Sequence, residues 1–461
     1  PISTTMKSLG EAARARYNNA DDGDNYDAPA VYNSKHDRRP AAVLHCVDDA
    51  DVMAVVAAAL DCGLYLAVRG GGHSVPGFGT VDGGLVIDLS MMNSVSVDPD
   101  DGTARVGGGA TWGDVDHATY PFGLAAPGGI ISTTGVGGLT LGGGIGYLSR
   151  GCGLSIDNLI SADVVLADGR QVRASDEQNQ DLFWALRGGG GNFGVVTSFE
   201  FKLHEVGDIV GGPMFFEVED AAAILEWYRD FIADAPEQLG CFFAWQIAPP
   251  LPFIPEDRVG DLFCALVSCW NGPVDQAESV LQPLRDVAEV KAEHVDLMPF
   301  PALNSAFDGL VPKGMQHYWK ADFVTELTDE AIAGHVEHGK KTPYVSSTMH
   351  LYPINGAAQR AGADEMAFGH RDKNFAPVIA GMWPDPADNE ANTKWVKDYY
   401  AAIHPHSGSD GGYINFMSSD DDHRVAANYG ANYERLAAVK ATYDPDNLFH
   451  INQNIEPASP S

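Results

Sequence analysis

Glycine restricts the possible folds of this chain more than any other feature, because many of its 51 glycines lie between Gly70 and Gly194. There they form runs at Gly70–Gly72, Gly107–Gly109, Gly142–Gly144 and Gly188–Gly191. Glycine lets the backbone approach a ligand closely and point its N–H groups at anionic oxygens. Two ordered glycine segments, one after Arg69 and one from Gly128 to Gly146, therefore predict that the chain wraps a large, flat, phosphate-bearing cofactor.

A strand–helix–strand unit leads into the first glycine run. Ala42 to Val47 predicts a strand, and Asp48 is a good N-cap for a helix over Met53 to Leu60 that Gly63 ends. Leu64 to Val68 predicts the next strand, which runs directly into Arg69-Gly70-Gly71-Gly72-His73-Ser74. No clean Gly-x-Gly-x-x-Gly follows the first strand, which argues against the ordinary dinucleotide-binding fold.

The middle of the chain is built differently from its ends. Glycine density falls after about residue 206 and rises again at Gly408 to Gly412. Further strands are predicted over Gly84–Leu89, Ala104–Val106, Ala162–Ala167 and Thr197–Leu203, and the middle section has longer runs such as Leu262–Trp270. A helical pattern covers Ala221 to Ile232. We therefore expect a ligand-binding part, a middle part in which a sheet carries helices on one side, and a C-terminal return.

Charge and cysteine usage exclude several classes of partner. The 461 residues include 63 Asp and Glu against 29 Lys and Arg, a formal net charge of −34, so neither nucleic acid nor an anionic membrane is an expected partner. The six cysteines have no metal-ligand spacing, the acidic run at Asp420–Asp422 is expected to be solvated, and no motif predicts a metal. No 18-residue apolar run predicts a membrane span. These features favour a halophile-like, cytoplasmic enzyme.

Four segments resemble one flavoprotein family. The block VRGGGHSVPGFGTVDGGLVIDLSMMNSV, from Val68 to Val95, is similar to the flavin-attachment segment of the vanillyl-alcohol-oxidase-like superfamily with its PCMH-type FAD domain. The similarity is closest to the branch of berberine bridge enzyme and 6-hydroxynicotine oxidase. Further segments of that branch resemble Gly142–Gly169, Asp181–Leu203 and Asn432–Ile455. Together the four cover roughly half of the chain in family order.

The resemblance implies an α+β fold with two functional parts. A two-part PCMH-type FAD-binding domain would comprise residues 1–205 and the C-terminal return 412–461. Residues 206–411 would form a substrate domain, an antiparallel sheet with helices on one side.

The resemblance also implies FAD with a single covalent attachment, through His73. Relatives with a second attachment use a Cys where this chain has Ile131, and Cys152 lies too far along the chain to replace it. The implied cofactor-binding residues are Arg69, Gly70, Gly71, Gly72, His73, Ser74, Gly77, Thr134, Gly135, Val136, Gly138, Gly142, Gly143, Gly146, Val195, Asn415, Asn452 and Asn454.

The implied reaction is an oxidation of a small alcohol or amine, with molecular oxygen as the acceptor and hydrogen peroxide as the product. Val136 occupies a position that governs oxygen access in relatives, where a small residue favours an oxidase. The sugar-oxidising relatives end a Tyr-x-Asn-Tyr motif with their catalytic base, but here the motif reads Tyr413-Ile414-Asn415-Phe416. Tyr413 is the remaining candidate base, although a structural tyrosine is the simpler interpretation. A dehydrogenase with another acceptor and a catalytically silent flavin-binding protein stay open as alternatives.

Overall fold

The computed structural model describes residues 17–19 and 31–459. The remaining residues of the predicted first domain, 1–16 and 20–30, lie outside the described residues. The α-helices of the described residues are Asp49–Cys62, Trp112–Thr119, Val136–Leu141, Ser149–Cys152, Gln180–Leu186, Ala221–Asp234, Ala277–Asp286, Phe300–Asn304, Asp329–Gly339, Asn389–Ile403, Val425–Tyr429 and Tyr433–Tyr443.

The N-terminal sheet contains the predicted strand–helix–strand unit. In spatial order its strands are Tyr17–Asn19, Ala42–His45, Leu85–Asp88 and Leu66–Arg69, with parallel pairing among the last three. The Asp48 side chain accepts a hydrogen bond from the Asp51 N–H and begins the helix Asp49–Cys62. Gly63 ends it in the left-handed region at φ 60°, as the sequence predicts.

A second sheet packs beside the first and is antiparallel throughout. Its strands, in spatial order, are Val95–Asp98, Thr103–Gly107, Val195–Lys202, Leu159–Val165 and Gln171–Ser175. Phe199 and Phe201 from its central strand are buried in one core with the helix Gln180–Leu186. A short ladder of Leu124–Ala125 with His204–Glu205 follows the end of this sheet.

The large sheet has eight antiparallel strands, all from the middle of the chain. In spatial order these are Ala292–Glu293, Asp208–Glu217, Leu262–Trp270, Leu239–Ile247, Thr348–Pro353, Phe375–Trp383 and Gln316–Ala321, with Asp296–Pro299 also paired to Asp208–Glu217. The expected α+β fold class, with helices on one side of this sheet, is confirmed.

Strand alternation gives the large sheet two different faces. One face packs against the helices Ala221–Asp234, Ala277–Asp286, Asp329–Gly339 and Asn389–Ile403 in one apolar core. The opposite face, called the inner face below, packs in a second core against the glycine segment from Ile130 to Leu148 and against Tyr413. The inner face therefore joins the middle of the chain to its glycine-rich part.

The acidic run near the C-terminus differs from the expectation of a solvated face. Asp421 is 1% exposed and accepts a hydrogen bond from Lys320 Nζ at 2.5 Å, and Asp420 accepts one from the same amine at 3.1 Å. Because Lys320 is itself buried in the large sheet, it requires these carboxylates as partners.

Throughout residues 31–459, the helices are too short or too polar to cross a membrane.

Candidate active site

The first glycine run follows directly from the end of a buried strand. Arg69, the last residue of the strand Leu66–Arg69, forms a buried ion pair with Asp88 at 2.5 Å, which ties the strand end to its parallel neighbour. The N–H groups of Gly71, Gly72 and His73 have no acceptor within residues 31–459. Three such donors on consecutive residues can bind an anionic oxygen.

His73 is held by contacts on two sides. Its ring stacks on Tyr32 with 3.6 Å between centroids, and its Nε2 lies 3.1 Å from Thr133 Oγ1. Burial, with smaller contributions from the nearby His317 and Lys313, lowers the pKa of His73 to about 3. The imidazole is therefore neutral at neutral pH, and only a neutral imidazole has a nitrogen lone pair with which to form a new bond.

The two glycine segments meet at Gly71 and Gly135. A Cβ on Gly71 would lie 2.3 Å from the Gly135 nitrogen, so only glycine permits this approach. Val136, the next residue, begins the helix Val136–Leu141 and is fully buried. The predicted site residues Gly70 to His73 and Thr134 to Val136 are thus brought together, while Ser74 Oγ accepts a hydrogen bond from Phe78 N–H within its own loop.

Other predicted glycines are required for packing. A Cβ on Gly77 would lie 2.5 Å from the His36 ring, and one on Gly146 would lie 1.9 Å from the Gly128 carbonyl oxygen. Gly142 lies against the Asn415 side chain and Gly143 against Phe368 and Tyr413. Gly138, by contrast, faces open space, and Val195 is a buried strand residue paired with Val165.

Tyr413 is a structural anchor for the second glycine segment. Its hydroxyl oxygen accepts hydrogen bonds from Gly144 N–H and from Asn415 Nδ2, both at 2.8 Å. Asn415 Nδ2 also donates to the Leu139 carbonyl at 2.9 Å. Burial raises the pKa of Tyr413 to about 12, so its phenol is protonated at neutral pH. The two bonds to the hydroxyl oxygen support a structural role, and the role of Tyr413 as the base stays a prediction.

The C-terminal segment supplies several polar atoms without partners. In the described part of the chain, Asn452 Oδ1, Asn454 Oδ1 and both amide atoms of Gln453 are buried without a hydrogen bond. Asn192 holds this segment, because it donates to the Gln453 carbonyl at 3.1 Å and accepts from Ile455 N–H at 2.9 Å. Unpaired buried amides are costly unless a ligand completes them, so they indicate a binding surface.

The inner face of the large sheet adds residues that sequence reasoning missed. His317 Nε2, Trp319 Nε1 and Tyr147 Oη are buried, and none has a hydrogen-bond partner within the described ranges. His317 also lowers the pKa of His73, and Asn33 links the two parts by accepting from His317 N–H at 2.9 Å and donating to the Val75 carbonyl at 2.6 Å. The alternation in Gln316–Ala321 predicts that His317 and Trp319 share one face of a strand. It does not reveal which face of the sheet that is.

No group of three potential metal ligands occurs within the described residues.

Comparison with known proteins identifies related chains over nearly the full length. Residues 40–175 match the family model described as FAD binding domain, and residues 412–456 match the one described as berberine and berberine like. The chain is 31% identical over 422 residues to an FAD-linked oxidoreductase of Dictyostelium discoideum, covering 91% of this chain and 89% of the relative. It is also 31% identical over 460 residues to the (R)-6-hydroxynicotine oxidase of Paenarthrobacter nicotinovorans, covering 95% of each.

A solved structure shows the same architecture. The glucooligosaccharide oxidase of Acremonium strictum, which is described with a 6-S-cysteinyl, 8α-N1-histidyl FAD, superposes with a TM-score of 0.85 at 26% identity, covering 100% of both chains.

Proposed function

The chain belongs to the berberine-bridge-enzyme-like branch of the FAD-linked oxidoreductases, and on that premise we propose that it is an oxidase of a small alcohol or amine. Its FAD is attached once, through His73, and molecular oxygen is the acceptor that yields hydrogen peroxide. Residues 1–205 and 412–461 bind the cofactor, and residues 206–411 contact the substrate. This division agrees with the position of the large sheet, whose strands all lie between Asp208 and Trp383.

The residues present fit FAD. The N–H groups of Gly71 to His73, which have no acceptor among the described residues, suit a phosphate oxygen. The side-chain oxygens of Asn452 and Asn454 and the amide of Gln453, which have no partner there either, suit the polar edge of a flavin ring. When bound, FAD accepts two electrons from the substrate and passes them to an acceptor.

The single observation that carries the proposed attachment is the position of the neutral His73 ring, which Tyr32 and Thr133 contact beside the second glycine segment. A bond between a His73 ring nitrogen and the 8α carbon of FAD would form with loss of one hydrogen from each partner and of two electrons, which molecular oxygen would take up as hydrogen peroxide. Thr133 contacts this ring, and Ile131 of the same segment has no sulfur for a second bond. The attachment is therefore proposed to be single.

The inner face favours a small ring-bearing substrate over a polyol. It presents the rings of Trp319 and Tyr352, against which Phe416 and Tyr147 pack. Trp319 Nε1 and Tyr147 Oη have no hydrogen-bond partner among the described residues. Aromatic walls with a few hydrogen-bonding atoms are typical of small-molecule sites.

Acid precipitation of the purified protein tests the attachment. We expect the yellow colour to stay in the wild-type pellet and to move to the supernatant in His73→Ala, because only a covalent flavin survives unfolding. The control is His117→Ala, which changes an exposed histidine on the helix Trp112–Thr119 and should keep the colour in the pellet. Wild-type colour in the supernatant would contradict the attachment.

A substrate screen tests the activity. A panel of aromatic alcohols and amines should include at least one that bleaches the flavin anaerobically and releases hydrogen peroxide in air. Rapid bleaching followed by very slow reoxidation in air would instead show a dehydrogenase, and a flavin that no compound bleaches would show a silent flavin-binding protein.

A further inference from the structure

Phe416 stands at the motif position where the sugar-oxidising relatives have their catalytic tyrosine, but its ring carries no hydroxyl and cannot accept a proton. The inner face surrounds this ring with other aromatic residues. Tyr352 stacks on it with 6.0 Å between centroids and 29° between planes, and Trp319 contacts it edge-on at 6.0 Å. The Tyr413 ring lies 4.7 Å away on the same side. A proton acceptor for this region therefore has to come from a neighbour of Phe416.

One such neighbour forms a hydrogen-bonded pair with a histidine. Tyr352 and His350 alternate with Met349 and Leu351 on the strand Thr348–Pro353, so both point to the inner face while Met349 and Leu351 pack under the helices. The Tyr352 hydroxyl and His350 Nδ1 are 2.7 Å apart. The His350 ring packs on Phe242 at 4.8 Å, which fixes its orientation.

The surroundings keep both members of the pair uncharged. Burial raises the pKa of Tyr352, with the nearby Tyr413 raising it further, and burial lowers the pKa of His350 to about 3. The titratable groups that face the pair are Tyr147, from the glycine segment, and Tyr413, from the C-terminal return. In the tautomer that carries its proton on Nε2, the neutral His350 ring has its Nδ1 lone pair towards the phenol and accepts a hydrogen bond from it.

We propose that Tyr352 is the catalytic proton acceptor of this enzyme and that His350 is the positioning residue that receives the proton from it. This inference rests on the proposed function. As the substrate C–H bond gives its hydrogen and two electrons to FAD, the substrate O–H or N–H proton passes to Tyr352 Oη. The Tyr352 proton moves to His350 Nδ1 in the same step, and the imidazolium releases its Nε2 proton to solvent. His350 is partly exposed.

Tyr413 is less suited to this role than Tyr352. Its hydroxyl oxygen already accepts two hydrogen bonds, from Gly144 and Asn415, which occupy both of its lone pairs. The Tyr352 hydroxyl has His350 as its partner and keeps lone pairs for a substrate proton.

The structure provides a matched control pair on the opposite side of the large sheet. Tyr399 and His335 also form a buried tyrosine–histidine hydrogen bond, at 3.0 Å to Nδ1, but they lie in the helix layer. Tyr399→Phe therefore removes the same kind of bond without access to the inner face, together with the bond that the Tyr399 hydroxyl accepts from Trp245 Nε1 at 3.1 Å.

Anaerobic bleaching kinetics of the FAD-loaded variants test the catalytic role. With an alcohol substrate from the screen, Tyr352→Phe should slow bleaching by about 100- to 10,000-fold at neutral pH, within the range for loss of a general base. The difference in bleaching rate between Tyr352→Phe and the wild type should shrink as the pH rises, because the substrate then loses its proton to water. His350→Gln should give a smaller loss with the same pH trend, and Tyr399→Phe should change neither. Equal losses in Tyr352→Phe and Tyr399→Phe would overturn the proposal and leave the oxidase function intact.

A second measurement needs no substrate. In the holoenzyme labelled with ¹⁵N-histidine, the resonances lost in His350→Gln identify this ring by NMR. We expect a neutral ring protonated on Nε2, with Nδ1 as the acceptor, at neutral pH, and a shifted Nδ1 resonance in Tyr352→Phe. A proton on Nδ1 would overturn the relay whether or not a substrate has been found. If NMR shows the expected tautomer but no alcohol or amine bleaches the flavin, the hydrogen-bonded arrangement of Tyr352 and His350 is supported and the proposed oxidase function fails.

Discussion

Gly135 shows at the scale of one residue how the candidate site depends on close backbone approach. Its α-carbon faces Gly71, and a Cβ here would lie 2.3 Å from the Gly71 nitrogen. Gly138 lies three residues later, inside the short helix Val136–Leu141 that Gly135 precedes. A Cβ on Gly138 would have nothing within 4 Å. Two glycines of one motif therefore have different physical roles, and the difference can be measured.

Gly135→Ala is expected to destabilise the protein by about 1–3 kcal/mol, because the added methyl group pushes the two glycine segments apart. The flavin content should fall as well, since these segments contain His73 and Thr134. Gly138→Ala should be neutral or slightly stabilising, by up to about 1 kcal/mol, because alanine is the better helix residue. Thermal unfolding and the absorbance of bound flavin measure both effects. Equal behaviour of the two variants would show that the close approach does not govern the site.

The closing helix Tyr433–Tyr443 shows how a whole element positions the site. Lys440, in its last turn, is fully buried and donates to Asp444 Oδ2 at 2.5 Å, to the Asn192 carbonyl at 2.7 Å and to the Phe449 carbonyl at 3.0 Å. These bonds connect the fourth glycine run, Gly188–Gly191, to the segment that contains Asn452 and Asn454. The helix therefore holds two parts of the predicted cofactor site together.

Lys440→Met should destabilise the protein by about 3–5 kcal/mol, because it leaves the Asp444 carboxylate buried without its cation. The control is Lys394→Met. Lys394 and Asp398 form an ion pair with the same four-residue spacing on the exposed side of the helix Asn389–Ile403, so this change should leave the unfolding midpoint unchanged. Chemical denaturation of both variants makes the comparison. A small loss in Lys440→Met would contradict the positioning role of the helix.

Elements were predictable where local signals are strong. The strand Leu262–Trp270 has the same ends as the long run in the sequence, because that run is almost entirely apolar and bounded by polar residues. The strand predicted from Leu64 begins at Leu66, because the Leu64 N–H donates to the Ala59 carbonyl and completes the preceding helix end. Such a bond depends on how the chain turns after Gly63, which alternation of side chains does not reveal.

The charge of the whole molecule has its own consequence. A net charge of −34 on 461 residues gives strong self-repulsion in the folded state. Screening shortens the range of this repulsion from about 10 Å at 0.1 M salt to about 3 Å at 1 M. The prediction of a halophile-like protein rests on this balance.

The thermal unfolding midpoint should therefore rise by several degrees as sodium chloride increases from low to molar concentration. An uncharged solute at matched osmolality serves as the control, because it does not screen charge. A midpoint that is the same in low and molar salt would contradict the prediction of salt adaptation.

The sequence by itself determined the fold class, the glycine segments and the family, because these depend on local patterns that a linear reading preserves. His73 and Gly135 stand in such patterns. Only the tertiary structure showed that His317, Trp319 and the pair of Tyr352 with His350 share the inner face, and that Tyr413 is an anchor with a filled hydroxyl. These residues come from strands and loops far apart in the chain. Their proximity follows from the order of strands in the large sheet, which is set by packing between distant segments and leaves no local signal.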